Sequence, residues 1–190
     1  MRAMTSKRYI ALLRGVNVGR AKRIAMADLR KLIEDLGYTE VRSVLNSGNV
    51  VFSGPPLPQA EVAAAVEEAL VLKLGVAART LVLDGEELAG IMAANPLLDR
   101  APDHARLVTF ILSNPLSVPD TLQAIETLCR QDWHPGALAL GERAVYVWCP
   151  DGILDSAAAA ALGKLLGDAT TSRNWSTLLK LHALSGGAHA

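Results

Sequence analysis

Four residues, Asn46-Ser47-Gly48-Asn49, separate two β-prone runs, Val41 to Leu45 and Val50 to Ser53. A polar cluster this short, with Gly48 free to take a positive φ, folds the chain back on itself, so the two runs pair as an antiparallel hairpin. Helical periodicity flanks the hairpin on both sides. Before it, Met26, Leu29, Ile33 and Leu36 recur at helical spacing over about Ala25 to Leu36, with Asp28 in the first turn and Gly37 at the stop. After it, Pro55, Pro56 and Pro58 break the chain, and Pro58 with Glu61 opens a helix that carries Val62, Val66 and Leu70 on one face and stops near Gly75. Beyond the two helices, the apolar runs Arg8 to Leu13 and Arg79 to Leu83 read as buried strands. Strand, helix, strand, strand, helix, strand is the ferredoxin-like βαββαβ order.

The same order returns further along. Asp84 with Glu87 three residues on resembles a capping box, and Leu88, Ile91 and Met92 share one face of a connecting helix expected to run to about Ala94. Asn95 to Ala105, with Pro96 and Pro102, reads as an irregular linker. There follow a strand at Arg106 to Leu112, a helix at about Pro119 to Arg130 with Leu122, Ile125 and Cys129 inward, and a strand at Ala137 to Leu140. A Gly141-Glu142 turn then leads into Arg143 to Trp148. An Ala-rich helix from about Leu154 to Leu166, a short strand at Ala169 to Ser172 and a last helix over Trp175 to Leu184 complete the pattern. Asn174 is the expected N-cap of that last helix, and Trp175, Leu178, Leu179 and His182 lie on one side of it. The expected fold is therefore α+β: two tandem ferredoxin-like (βαββαβ) halves, 1–95 and 96–190, with an extra C-terminal helix. The halves share element order without a residue-level repeat.

With 190 residues, about half of them apolar, the chain can bury such cores. No apolar run approaches the roughly 18 residues that span a bilayer, and Met1 to Arg8 leads into no signal-like segment, so a cytoplasmic, membrane-free protein is expected. Cys129 and Cys149 lack CxxC spacing and read as buried reduced thiols. His104, His134, His182 and His189 show no ligand spacing, so neither a metal nor another cofactor is expected. The net charge is zero but unevenly spread. Met1 to Lys31 holds nine Lys or Arg against Asp28, the middle is acidic, and the end is again mildly basic. Anions would be steered to the ends.

Strand order carries these patterns to a site. In a sheet of order 4-1-3-2, the end of the first strand lies at the same edge as the hairpin turn. The loop Arg14-Gly15-Val16-Asn17-Val18-Gly19 should therefore meet Asn46-Ser47-Gly48-Asn49. Arg14 offers a planar fork of donors, Asn17, Asn46, Ser47 and Asn49 offer directional hydrogen bonds, and Gly15, Gly19 and Gly48 let backbone amides come close. This chemistry suits a small anionic or phosphate-bearing ligand. Gly15 to Gly19 matches neither the dinucleotide nor the P-loop fingerprint. Each Asn also has the ordinary alternative of capping its own turn, and Arg14 that of a structural ion pair. No catalytic triad or general base announces itself, since Ser47 lacks a GxSxG context and His182 sits on an apolar helix side. A nucleic-acid module is the rival class. RNA-recognition domains share this element order and stack bases on aromatics, for which Tyr9 and Phe52 are the candidates, but Val50 to Gly54 lacks their aromatic-rich signature. An interaction module is the third class, with Ala157 to Leu162 able to serve a homodimer.

Three ordered motifs carry a resemblance across nearly the whole chain. Tyr9 to Gly19, Asn46 to Phe52, and Thr170-Thr171-Ser172-Arg173-Asn174-Trp175 with Thr177 and Lys180-Leu181 resemble the signatures of domain of unknown function 1697, an uncharacterised bacterial family. Arg79-Thr80, Asn95-Pro96-Leu97 and Val145 to Trp148 fit as well. The family's loop commonly has a second Gly where this chain has Arg20, and Ser172 interrupts its Thr-Thr-Arg run. The resemblance implies two α+β halves and no established activity. It also singles out Thr171, Arg173 and Asn174, a polar turn feeding a helix N-terminus and hence a further setting for an anion.

Overall fold

The computed structural model describes residues 5–114 and 119–186. The chain forms two compact units, Met1–Ala89 with Lys180–Ala190, and Gly90–Leu179.

In the first unit, β1 (Lys7–Leu13), α1 (Met26–Asp35), β2 (Thr39–Val44), β3 (Asn49–Gly54), α2 (Gln59–Ala69) and β4 (Thr80–Asp84) follow in the expected order. The sheet runs β2-β3-β1-β4, antiparallel throughout. Register places Tyr9 opposite Phe52 and Ala11 opposite Val50. With Leu13 and Val82, these residues form one buried face packed with Leu29 and Ile33 of α1 and Val62 and Val66 of α2. Strand alternation and helix periodicity thus converge on a single core. Tyr9, Phe52 and Tyr38 meet inside it, with Tyr9–Phe52 and Tyr38–Phe52 centroids 5.7 and 4.8 Å apart. The Tyr9 hydroxyl accepts from the Leu57 amide at 2.7 Å and donates to Pro55 O at 2.7 Å, which satisfies its polar end. Tyr9 and Phe52 are fully buried and present no ring for a base to stack on.

The second unit repeats the arrangement with β5 (Leu107–Leu112), α4 (Pro119–Cys129), β6 (Ala137–Leu140), β7 (Ala144–Trp148), α5 (Ala157–Leu166) and β8 (Thr170–Asn174). Its sheet order is β6-β7-β5-β8. Phe110, Val145 and Val147 pack with Ile125 of α4 and Leu162 of α5. The two tandem ferredoxin-like units expected from element order are therefore present. They are joined by α3 (Gly85–Ala93), and α6 (Trp175–Leu184) follows β8. The Asp84/Glu87 capping box before α3 is formed: the Asp84 amide donates to Glu87 Oε2 at 3.0 Å and the Glu87 amide to Asp84 Oδ1 at 2.9 Å.

Four local expectations change. Residues 153–155 form a 3-10 turn, because Ser156 is the N-cap of α5, its Oγ accepting from the Ala159 amide at 3.1 Å. Leu154, expected in the helix, is 96% exposed. α2 stops at Ala69 and continues as a π-helical turn over Leu70–Leu74, closed by Gly75 in the left-handed region. β8 extends through Asn174 instead of ending at Ser172, and Leu179 faces solvent. Among the described residues, no helix is long and apolar enough to cross a membrane.

The two units share a hydrogen-bond pattern at one sheet end. In the first, the Leu13 amide donates to Gly48 O and the Arg14 amide to Arg79 O, both at 2.8 Å. In the second, the Leu112 amide donates to Arg143 O and the Ser113 amide to Ala169 O, both at 2.9 Å. A repeat absent from the residue letters is present in the main chain.

Candidate functional site

The loop after β1 and the β2–β3 turn meet at one sheet end. Gly48 takes φ +78°, and a Cβ placed there would stand 2.7 Å from both Leu13 Cβ and Val16 Cγ2, so glycine is what lets the turn close against the loop. The Asn17 side chain ties the parts together. Its Nδ2 donates to Ile24 O at 2.8 Å and to Asn46 O at 2.6 Å, while its Oδ1 accepts from the Ile24 amide at 2.8 Å. The Asn17 amide also donates to Lys22 O at 3.0 Å. Asn17 sits at φ +55°, a conformation that asparagine tolerates better than most residues. Val16 and Ile24, buried on either side, pin both feet of the excursion to the core.

What remains outside is basic. Arg20, Lys22 and Arg23 are exposed on the clamped loop, and Val18 projects among them at 69% exposure. Gly15 and Gly19, at φ +68° and +61°, shape the loop with open space at their Cβ positions. Arg79, whose carbonyl holds the Arg14 amide, is exposed at the start of β4. Sequence reasoning left out Arg20, Lys22, Arg23 and Arg79 as site residues. The signal for Arg79 was available, because strand order alone puts the start of β4 at this end. Asn46 and Ser47 are exposed on the turn.

Two expected contact residues are spent inside the scaffold. Asn49 is fully buried, its Nδ2 donating to Val44 O at 3.0 Å and Ser47 Oγ at 2.8 Å. The Asn17 amide group is occupied as described above. Both hold the turn and loop in shape instead of facing outward. Arg14 is half-buried.

Thr171, Arg173 and Asn174 belong to the second unit. Thr171 is a buried strand residue opposite Ile111. Arg173 lies opposite Thr109 and donates from one terminal nitrogen to Ser172 O at 2.8 Å; burial pushes its guanidinium down to about 10. Asn174 is the N-cap, its Oδ1 accepting from the Thr177 amide at 3.0 Å and the Thr177 hydroxyl at 2.8 Å. The feature is thus a strand end with its cap, rather than an open polar turn.

Cys129 and Cys149 are both free thiols, half-buried and buried, and burial pushes each above its ordinary value, which keeps them protonated at neutral pH. Among the described residues, no group of three or more His, Cys, Asp or Glu could hold a metal ion.

The fold is two ferredoxin-like units in tandem, and in this chain the first carries a clamped basic loop against its hairpin turn. The chain belongs to the family described as protein of unknown function (DUF1697), which matches residues 6–146. In fold it is similar to the conserved bacterial protein SP0830 from Streptococcus pneumoniae, with a TM-score of 0.74 at 23% identity, covering 95% of this chain and 99% of that one. No curated protein matches it.

Proposed function

We propose that the loop end of the first unit binds a small anionic, phosphate-bearing ligand. The observation that carries this reading is the Asn17 clamp, which keeps Arg20, Lys22 and Arg23 exposed on a fixed excursion beside the Asn46–Gly48 turn. Preorganised cations attract an anion without the entropy loss of ordering a floppy loop on binding. In this reading Gly15, Gly19, Ser47 and Gly48 bring main-chain groups near the ligand, while Asn17 and Asn49 hold the shape. The base-stacking mode of an RNA reader is disfavoured by the burial of Tyr9 and Phe52.

A thermal-shift series with inorganic phosphate, nucleotides, sugar phosphates, carboxylates and short oligonucleotides tests it. A ligand at 100 times its Kd should stabilise the unit by about 2.7 kcal/mol, and a combined Arg20→Ala, Lys22→Ala, Arg23→Ala variant should lose that shift while keeping its own melting temperature. A melting curve indifferent to every anion refutes the reading. A shift with oligonucleotides alone, falling steeply with salt, transfers the surface to nucleic-acid phosphates.

A further inference from the structure

The other end of the first sheet holds a separate cavity. Because β1 and β4 are antiparallel, the start of β1 and the end of β4 lie together, away from the loop site. Between them and the last turn of α6 is an open cleft of about 690 Å³, within the few hundred to 1,000 Å³ usual for small-molecule sites. Lys7, Arg8, Asp84, Glu86, His182 and Ser185 line it.

Its charges are of two kinds. Some are already engaged: Lys7 Nζ pairs with Asp84 at 3.0 Å, and Arg8 binds Glu40 at 2.9 Å, Ser53 Oγ at 2.8 Å and Leu184 O at 2.9 Å. These contacts fix the walls and leave the Lys7 ammonium and two of the five Arg8 N–H groups with donors to spare. Two further groups are uncommitted. Among the described residues, neither the Glu86 carboxylate nor the His182 imidazole has a hydrogen bond or ion pair within the protein. One is contributed by the first turn of α3, the other by the last turn of α6. The cleft therefore offers a free acceptor on one wall and a free imidazole, backed by spare cationic donors, on the others. Its acids and bases balance, so neither a simple anion nor a simple cation is favoured throughout it, and a molecule with both charges is.

We propose that this cleft binds a small zwitterion of the amino-acid type, its ammonium on Glu86 and its carboxylate on His182 with Lys7 and Arg8. The site is independent of the loop at the other sheet end.

Isothermal titration of the full chain with the common free amino acids and simple dipeptides, alongside their N-acetyl and C-amide derivatives, tests it. At least one free zwitterion should bind, with each blocked derivative at least tenfold weaker. Glu86→Gln should weaken binding of the free form at least tenfold and erase the penalty for N-acetylation, and His182→Asn should do the same for the amide. Both variants should melt with the parent, since neither side chain has an internal partner to lose. The proposal is overturned if no zwitterion binds, if blocked forms bind equally, or if both variants keep parental affinity.

Discussion

Replacing Asn17 removes three hydrogen bonds at once, two with the Ile24 backbone and one with Asn46 O. The Ile24 pair is partly buried, and Ile24 itself is 6% exposed, so its backbone groups recover little from water. At roughly 1 kcal/mol for each partly buried bond and about half that for the exposed one, Asn17→Gly should destabilise by about 2–3 kcal/mol. Glycine keeps the left-handed φ of +55° at no steric expense. Asn17→Ala loses the same bonds and adds about 1–2 kcal/mol for an alanine held at positive φ. The alanine variant should therefore be the worse of the two by that margin, an inversion of the usual finding that glycine destabilises more than alanine. Urea unfolding measures both, and with a slope of about 2 kcal/mol/M the glycine midpoint should fall by about 1–1.5 M. Hydrogen exchange localises the effect, because the Ile24 amide is protected by Asn17 Oδ1 and should lose its protection in both variants. If the two variants unfold at the same urea concentration, or if the Ile24 amide stays protected, the clamp is not what holds this loop.

Gly48→Ala combines positive φ with a Cβ 2.7 Å from Leu13 and Val16 and should destabilise by about 2–5 kcal/mol, whereas Gly19→Ala, with open space, should cost about 1–2 kcal/mol; thermal melts compare them. Thr109 is fully buried with a hydroxyl that has no hydrogen-bond partner, so Thr109→Val should be neutral or stabilising by up to about 1 kcal/mol, read as an unchanged or raised melting temperature. Burial of Asp84 works to raise its pKa, but the Glu87 amide and the Lys7 ammonium outweigh it and hold the carboxyl below 3.8. Stability from a depressed acid is present above the unfolded value and is lost as pH falls through the folded one, so melting should drop on acidification below pH 3.8, with a shallower drop in Asp84→Asn. The hydrogen bond to Asp84 raises Lys7 above 10.5, so its share persists through neutral pH and disappears only as alkaline pH passes the folded-state value.

The hairpin and the sheet orders were legible because they rest on local chemistry. Gly48 marks the turn, the prolines after Gly54 mark the break, and element order leaves few ways to pair four strands. The meeting of loop and turn followed from that order. The division of labour within the site did not. A loop asparagine reads equally as a ligand contact or as a cap, and nothing near Asn17 announces that its side chain reaches Ile24 and Asn46, 7 and 29 residues on. Asn49 was ambiguous for the same reason, until burial showed its amide spent within the turn. Tyr9 and Phe52 read from the sequence as candidates for base stacking, and nothing in their spacing told that α1 and α2 cover the face they share. The π-helical turn was hidden because Leu70–Leu74 continues the apolar run of α2 without a break. Arg8 in the cleft draws on Glu40, Ser53 and Leu184, which no spacing rule connects.

The paired amide contacts at the sheet ends, Leu13 and Arg14 in one unit and Leu112 and Ser113 in the other, ask nothing of side chains. Each works as a socket of fixed shape, into which loops of differing length and lettering can be plugged while the strands stay in register. The first socket holds an asparagine-locked basic insert, and because its anchors are main-chain contacts such an insert can change without renegotiating the core. The same property makes the first socket a place to graft: a foreign segment spliced between Val16 and Ile24 inherits an anchored entrance and exit, provided that it brings its own substitute for Asn17.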